Sequence, residues 1–166
     1  MLFRSVITGV TCNKNIAKVA IRGIPDRPGM AAQIFTALGS KDINIRLIIQ
    51  SVAENGLNDI SLVVGREFVR QAIEVLEKQK KSMKARDIVH HERLAEVSII
   101  GSGIASTPGV AARMFRTLAA KNINIDLISS SEVRITCVID EKHTSAAIRA
   151  LHQEFRLEKL KRGMLK

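Results

Sequence analysis

The hydrophobic pattern of the chain alternates between the period of a β-strand and that of an α-helix. Runs of β-branched residues predict strands, and apolar residues at i, i+3, i+4 and i+7 predict helices. The first half predicts strands at 6–11 and 19–24, a helix from Pro28, strands at 43–52 and 60–64, a helix over 69–76 and a strand within 85–91. The second half predicts a strand at 97–100, a helix at 108–120, strands at 122–130 and 133–139, and a helix around 148–155. The polar residues 13–15 predict a turn.

The stretch that begins at Pro28 recurs at Pro108. Both copies continue with Gly, two Ala, Phe, Leu, Lys, Ile-Asn-Ile and Leu-Ile at the same spacing, ending at Ile48 and Ile128. Chance does not produce so many ungapped matches, so the chain is an internal duplication. Two small units are therefore expected rather than one medium domain.

The predicted order of strand, helix, strand, strand, helix, strand is the ferredoxin-like βαββαβ plan, an antiparallel sheet with both helices on one face. The second unit lacks its last strand, and the N-terminal strand has no place in the first unit. Because an unpaired sheet edge promotes aggregation, we expect that strand to complete the second unit. The sequence thus predicts an α+β fold of two ferredoxin-like units, the first nested inside the second. The first spans 16–92 and the second spans 1–15 plus 93–158, followed by a basic tail at 159–166.

The net charge of +10 suggests nucleic acid as a partner, but its distribution argues against a dedicated site. The charge concentrates at one helix end with its following loop and at the C-terminus, and the chain has no Tyr or Trp on which bases could stack. A basic ferredoxin-like nucleic-acid-binding protein remains the alternative hypothesis. No apolar run approaches the length of a membrane span, and no signal-like start is present. We therefore expect a cytoplasmic protein with no membrane association.

The sequence contains no recognisable catalytic constellation. It has no paired His and nucleophile, no phosphate-binding glycine loop and no metal-like cluster. Cys12 and Cys137 have neither metal-like nor redox-like spacing. His90 and His91 would point to opposite faces of a strand, so they are interpreted as surface residues. A standalone enzyme is not expected, and neither is a cofactor or a metal.

The loop before the first repeated helix offers complementary charges for a free amino acid. Unpaired N–H groups at a helix N-terminus carry partial positive charge and suit a carboxylate. The N–H groups of Met30 and Ala31 could bind it while Asp26 binds the α-ammonium. The alternative, that Asp26 only makes a turn, is the commoner role of Asp in such loops.

The two loops differ in the residue that precedes their proline. Thr107 can cap its helix, whereas Arg27 is a poor cap, so a ligand carboxylate could supply what that side chain does not. Gln50 and Asn124 lie among apolar residues and offer amides for hydrogen bonds. Each could equally be an edge residue that faces water.

Four segments carry a resemblance to a known family: Ile-Pro-Asp-Arg-Pro-Gly at 24–29, Asn-Ile-Arg-Leu-Ile-Ile-Gln at 44–50, Ser-Thr-Pro-Gly-Val-Ala at 106–111 and Asn-Ile-Asp-Leu-Ile-Ser-Ser-Ser-Glu-Val-Arg-Ile at 124–135. They closely resemble the tandem ACT domains of bacterial aspartate kinases, and the similarity extends from about Val6 to Leu157. The resemblance implies a nested ACT pair that mediates feedback control by threonine, lysine or both. The kinase motifs are absent, so it implies a non-catalytic regulatory (β) subunit or regulatory domain. Its expected partners are a second copy in a homodimer and the catalytic domain or α subunit.

The resemblance also implies two effector sites. The threonine-type site comprises Asp26, Pro28, Gly29, Met30, Ala31 and Gln50, closed by Asn124 and Ile125. The lysine-type site comprises Ser106, Thr107, Pro108, Gly109, Val110, Ser131, Glu132 and Val133. Arg46 departs from the family, in which an Asp at this position commonly helps to hold a lysine ammonium. An Arg would repel that ammonium, so threonine is favoured, unless Arg46 is merely a surface or ion-paired residue.

Overall fold

The computed structural model describes residues 6–52 and 54–157. These residues form an α+β fold with six strands and four α-helices. The elements are β1 Gly9–Pro25, α1 Met30–Gly39, β2 Ile45–Val52, β3 Leu57–Gly65, α2 Val69–Met83, β4 Asp87–Ile100, α3 Val110–Ala119, β5 Leu127–Ser130, β6 Arg134–Asp140 and α4 Thr144–Glu154. The predicted basic tail at 159–166 lies outside the described residues.

The chain packs into two compact units. The inner unit is Asn15–Arg93, and the outer unit combines the described residues before it with those after it. Strands β1 and β4 contribute residues to both units, because each runs past a unit boundary. The inner sheet has the order β2-β3-β1-β4, and the outer sheet has the order β1-β4-β6-β5. The predicted α+β fold, with two βαββαβ units of which the first is nested in the second, is confirmed.

The inner core lies between the sheet and the two helices of that unit. Met30, Ile34 and Leu38 recur every fourth position of α1, and all three are buried. They pack in one cluster with Leu76 of α2 and Leu62 of β3. Burying an Ile or Leu side chain contributes roughly 1.5–3 kcal/mol, so this stripe is what holds α1 on the sheet.

The outer core repeats this arrangement with Val110, Met114 and Leu118 on α3. Ile7 from the N-terminal segment belongs to the same cluster and is 2% exposed. The N–H of Thr8 donates to the carbonyl of Ile100 at 2.7 Å. The N-terminal segment therefore completes the outer unit. This agrees with the expectation that it supplies the strand which that unit lacks.

The predicted turn at residues 13–15 is wrong, because β1 continues through them without interruption. Lys14 and Asn15 are exposed, and the Asn15 amide donates to the Glu67 carboxylate at 2.8 Å. Polar side chains at solvent-facing strand positions mimic a turn in the sequence. The same reason applies to β4. The strands predicted within 85–91 and at 97–100 are one strand in the structure, and the exposed polar residues in its middle made it look like two.

The two repeated helices begin two residues later than predicted. Their first residues are Met30 and Val110 rather than Pro28 and Pro108. The residues before them, Gly29 and Gly109, are the N-caps and have φ of 94° and 86°. Only glycine adopts this left-handed conformation without penalty, so the proline belongs to the turn and the glycine begins the helix.

Candidate ligand-binding loops

Both Pro-Gly loops end in the same backbone geometry at a helix N-terminus. The N–H of Gln33 donates to the Gly29 carbonyl at 2.9 Å, and the N–H of Arg113 donates to the Gly109 carbonyl at 3.0 Å. The first turn of neither helix contains an acidic residue. The partial positive charge at each N-terminus is therefore not offset by a carboxylate within the helix itself.

Asp26 is held by hydrogen bonds to two residues at or just before the start of β3. Its N–H donates to the Gly56 carbonyl at 2.9 Å, and its Oδ1 accepts from Asn58 Nδ2 at 2.9 Å. The residue nevertheless remains exposed. The Asp26 carboxylate is thus held at the loop and can accept further hydrogen bonds, since a carboxylate has about four lone-pair sites.

The N–H groups predicted to bind a carboxylate lie at the first turn of α1. The Met30 N–H donates to the Arg27 carbonyl at 3.5 Å, which is too long for a strong bond. The Met30 side chain is buried, and its Sδ accepts from Arg27 Nε at 3.2 Å. Ala31 is exposed next to it, as are Pro28 and Gly29. An incoming carboxylate would therefore compete with a long bond at the Met30 N–H.

Gln50 is connected to this loop through β3. It is exposed on β2, the terminal strand of the inner sheet, and pairs with Ile60 of β3. Two residues further on, Val52 pairs with Asn58, the residue that donates to Asp26. The structure thus places Asp26 and Gln50 beside the same short stretch of β3.

Arg46 lies on β2 where the pairing with β3 shifts register, between Ile45 and Leu47. Its side chain is exposed. The shift breaks the regular alternation of side chains at this point, so a shared face with Gln50 does not follow from spacing alone. The effect of Arg46 on lysine binding stays a prediction.

Asn124 and Ile125 belong to the outer unit, between α3 and β5. Asn124 is exposed, and Ile125 packs against the outer core. The predicted threonine-type set is therefore divided between the two units.

The two halves of the predicted lysine-type set lie against each other. The Ala105 N–H donates to the Glu132 carbonyl at 3.4 Å, and the Gly101 N–H donates to the Val133 carbonyl at 2.9 Å. The Ser131 N–H closes the turn by donating to the Arg134 carbonyl at 2.8 Å. Segment 101–106 and turn 131–134 thus form one local surface before Pro108, Gly109 and Val110.

The predicted capping of α3 by Thr107 is wrong. Gly109 occupies the N-cap position, two residues after Thr107, and no side chain caps the helix there. The Thr107 N–H instead donates to the Ile104 carbonyl at 3.5 Å. The difference between Thr107 and Arg27 therefore does not distinguish the two loops by capping.

Asn58 is a residue at this loop that was not predicted from the sequence. This residue is only 5% exposed, although amides are usually found at the surface. A lone Asn between a Gly-containing turn and a strand is typical of a loop, so nothing local indicates its burial.

The described residues supply neither a metal site nor a membrane span. They contain no group of three or more His, Cys, Asp or Glu side chains that could hold a metal ion. None of the described helices is long and apolar enough to cross a membrane.

Two antiparallel βαββαβ units with matching Pro-Gly loops are the architecture of a tandem ACT-domain protein. The ACT domain family matches residues 19–79 and 97–155, and the chain belongs to this family. It is 40% identical over 153 residues to an aspartate kinase of Stutzerimonas stutzeri and 41% identical over 155 residues to the aspartokinase of Corynebacterium glutamicum. Both alignments cover 92% of this chain but 37% of the relative, so the chain spans just over a third of those enzymes.

The solved structures identify which part of these enzymes is matched. A chain from the crystal structure of aspartokinase alpha and beta subunits superposes with a TM-score of 0.85 at 41% identity, covering 91% of this chain and 99% of that one. The ligand-free regulatory subunit of aspartate kinase from Thermus thermophilus gives 0.85 at 38% identity, covering 90% and 99%. The matched region is the non-catalytic regulatory part of aspartate kinase, so the predicted family and the expectation of a non-catalytic chain are confirmed.

Proposed function

We propose that the chain binds threonine, lysine or both, and that it mediates feedback inhibition of an aspartate kinase in the synthesis of aspartate-family amino acids. The observation that carries this proposal is the Asp26 carboxylate held next to the N-terminus of α1. A free amino acid has a carboxylate for the helix N-terminus and an ammonium for Asp26. Each charge of the ligand would meet its complement within one loop.

Threonine is the ligand that we propose for the inner loop. Its α-ammonium and α-carboxylate would be bound as described, and the exposed Gln50 amide could bind its hydroxyl group. In the family that this chain resembles, an Asp at the position of Arg46 commonly helps to hold a lysine ammonium, and an Arg in its place would repel that ammonium.

The outer loop should prefer a different ligand, because it has no acidic residue at the position of Asp26. The equivalent residue there is Ser106, whose hydroxyl donates to the Gly103 carbonyl at 3.3 Å. An acidic residue, Glu132, lies in the turn whose backbone accepts a hydrogen bond from Ala105, next to Ser106. A ligand with a longer reach between its charges, such as lysine, would suit this arrangement better than threonine.

We further propose that the chain forms a homodimer and acts on a catalytic domain or α subunit. Val52 and Ile48 are 80% and 52% exposed on β2, the terminal strand of the inner sheet. Unpaired backbone groups and apolar side chains at a sheet edge favour addition of another strand. Asn124 and Ile125 from a second copy could then close the Asp26 loop. A coupling of 1–3 kcal/mol, typical of allosteric proteins, would suffice to restrain the kinase.

The site assignment is tested by titrating threonine and lysine into the purified chain in a calorimeter. We expect Asp26→Asn and Gln50→Ala to weaken threonine binding by about tenfold or more, because each removes a hydrogen bond to the ligand. Asp42→Asn is the matched control, since it removes an exposed carboxylate from the other end of α1. Threonine affinities equal to wild type in both site variants would contradict the assignment.

A further inference from the structure

We propose that Asn58 is a positioning residue, which orients the Asp26 carboxylate for the ammonium of the bound amino acid. This inference rests on the proposed function of the inner loop. It assigns no ligand contact to Asn58, which acts through Asp26. It goes beyond the predicted site, which did not include this residue.

The first observation is the way in which the Asn58 side chain is bonded. Its Nδ2 donates to Asp26 Oδ1 at 2.9 Å, while its Oδ1 is buried and receives no hydrogen bond from any described residue. The opposite orientation of the amide would set its oxygen against the carboxylate, so the bond to Asp26 fixes the orientation. A buried carbonyl oxygen without a donor is unfavourable, and a leucine of similar size would avoid it. The orientation that bonds to Asp26 therefore lowers the free energy of unfolding, because it leaves this buried oxygen without a donor.

The second observation comes from the other copy of the duplication. Gln50 pairs with Ile60, and its repeat equivalent Ser130 pairs with Ile135. Counting back two residues from each partner gives Asn58, in β3 of the inner unit, and Val133, in the turn just before β6 of the outer unit. Asn58 is 5% exposed and Val133 is 52% exposed, which is the reverse of what their polarity favours.

The two observations have one explanation. Burial alone would favour Val at the inner position and Asn at the outer one. The inner loop has Asp26 to orient, whereas the outer loop has Ser106 at that place, so only the inner unit has a use for a buried amide donor. With the Asp26 backbone bonded to Gly56 and its side chain bonded to Asn58, the carboxylate is held at both ends.

The test separates positioning from a structural role by measuring unfolding and binding in the same variants. Asn58→Leu removes both the donor to Asp26 and the unpaired carbonyl. We expect its melting temperature without ligand to equal that of wild type or to exceed it by about 2–4 °C. We expect its threonine affinity, measured by calorimetry, to fall by about tenfold. If Asn58 had only a structural role, its replacement would lower the melting temperature of the chain.

Two further variants complete the design. Asn58→Thr keeps a hydroxyl that can donate to Asp26 and suits a strand, so its threonine affinity should lie closer to wild type than to Asn58→Leu. Gln33→Leu is the control, because it removes an amide that bonds to Ser82 of α2 at 2.7 Å and not to the loop. Its threonine affinity should equal that of wild type.

Each outcome decides between the hypotheses. Undiminished threonine binding by Asn58→Leu overturns the positioning role and leaves the proposed function intact. A lower ligand-free melting temperature in both Asn58→Leu and Asn58→Thr, with parallel losses of affinity, also overturns it in favour of a structural role. A wild-type chain that binds neither threonine nor lysine overturns the proposed function and this inference together.

Discussion

The N-cap glycines of the two repeated helices allow a prediction in which the sign of the effect is set by backbone conformation alone. Gly29 and Gly109 have φ of 94° and 86°, and a Cβ added at either position would meet no atom within 4 Å. Alanine at these positions would therefore cause no steric clash. Its penalty comes only from the left-handed conformation, which costs an L-residue roughly 1–2 kcal/mol.

An opposing effect on the unfolded chain reduces this penalty. Alanine restricts the unfolded chain more than glycine does, which stabilises the folded state by about 0.4–1 kcal/mol. We therefore expect Gly29→Ala and Gly109→Ala each to lower the free energy of unfolding by about 1 kcal/mol. For a chain of this length, that corresponds to a decrease of roughly 2–4 °C in melting temperature.

Gly39, the last residue of α1, is the matched control. A Cβ there also meets nothing within 4 Å, but its φ is not positive. Gly39→Ala should stabilise the chain by about 0.5–1 kcal/mol, because glycine is a poor helix residue. Thermal unfolding of the three variants without amino acids measures all three shifts. If Gly29→Ala and Gly109→Ala stabilise the chain as Gly39→Ala does, the reasoning from φ is refuted.

Two further predictions concern the outer unit. Gly101→Ala should destabilise it by about 3 kcal/mol or prevent its folding, because the new Cβ would clash with the Val6 carbonyl oxygen and the backbone would have to move. An unchanged melting temperature would contradict this. Burial raises the pKa of the Cys137 thiol to about 12, whereas Cys12 is exposed. The reactive thiolate of Cys137 forms only near that pH, so a thiol reagent at pH 8 should modify Cys12 alone in the native chain and both cysteines in denaturant. Modification of two thiols in the native state would disprove this expectation.

The sequence predicted the order of elements because their patterns are strong and local. The stripe of Ile34 and Leu38 and its repeat at Met114 and Leu118 have helical spacing, and the structure buries all four side chains. The nested arrangement followed from counting strands, since one unit had a strand too many and the other a strand too few. Both kinds of evidence can be read from a single chain.

The errors arose where tertiary structure overrides local preference. Residues 13–15 have turn-like composition, yet β1 passes through them because their neighbours pair within a sheet. Thr107 is a good capping residue, but Gly109 takes the N-cap position. Asn58 could not be identified because its role depends on burial and on Asp26, which lies 32 residues away. Neither property is encoded in the residues that flank it.

The insertion of the inner unit into the outer one has a consequence for the order of folding. The inner unit is a continuous stretch of chain, whereas the outer unit requires Thr8 to meet Ile100, 92 residues later. Closing an unstructured loop of that length costs about 4 kcal/mol of entropy by the logarithmic dependence on length. Within the inner unit β1 and β4 are neighbours, so folding of that unit brings the two ends of the insertion together. Much of the closure entropy is then already lost before the outer unit forms. We therefore expect the inner unit to fold first during synthesis, which brings the two segments of the outer unit close together in the chain before that unit folds.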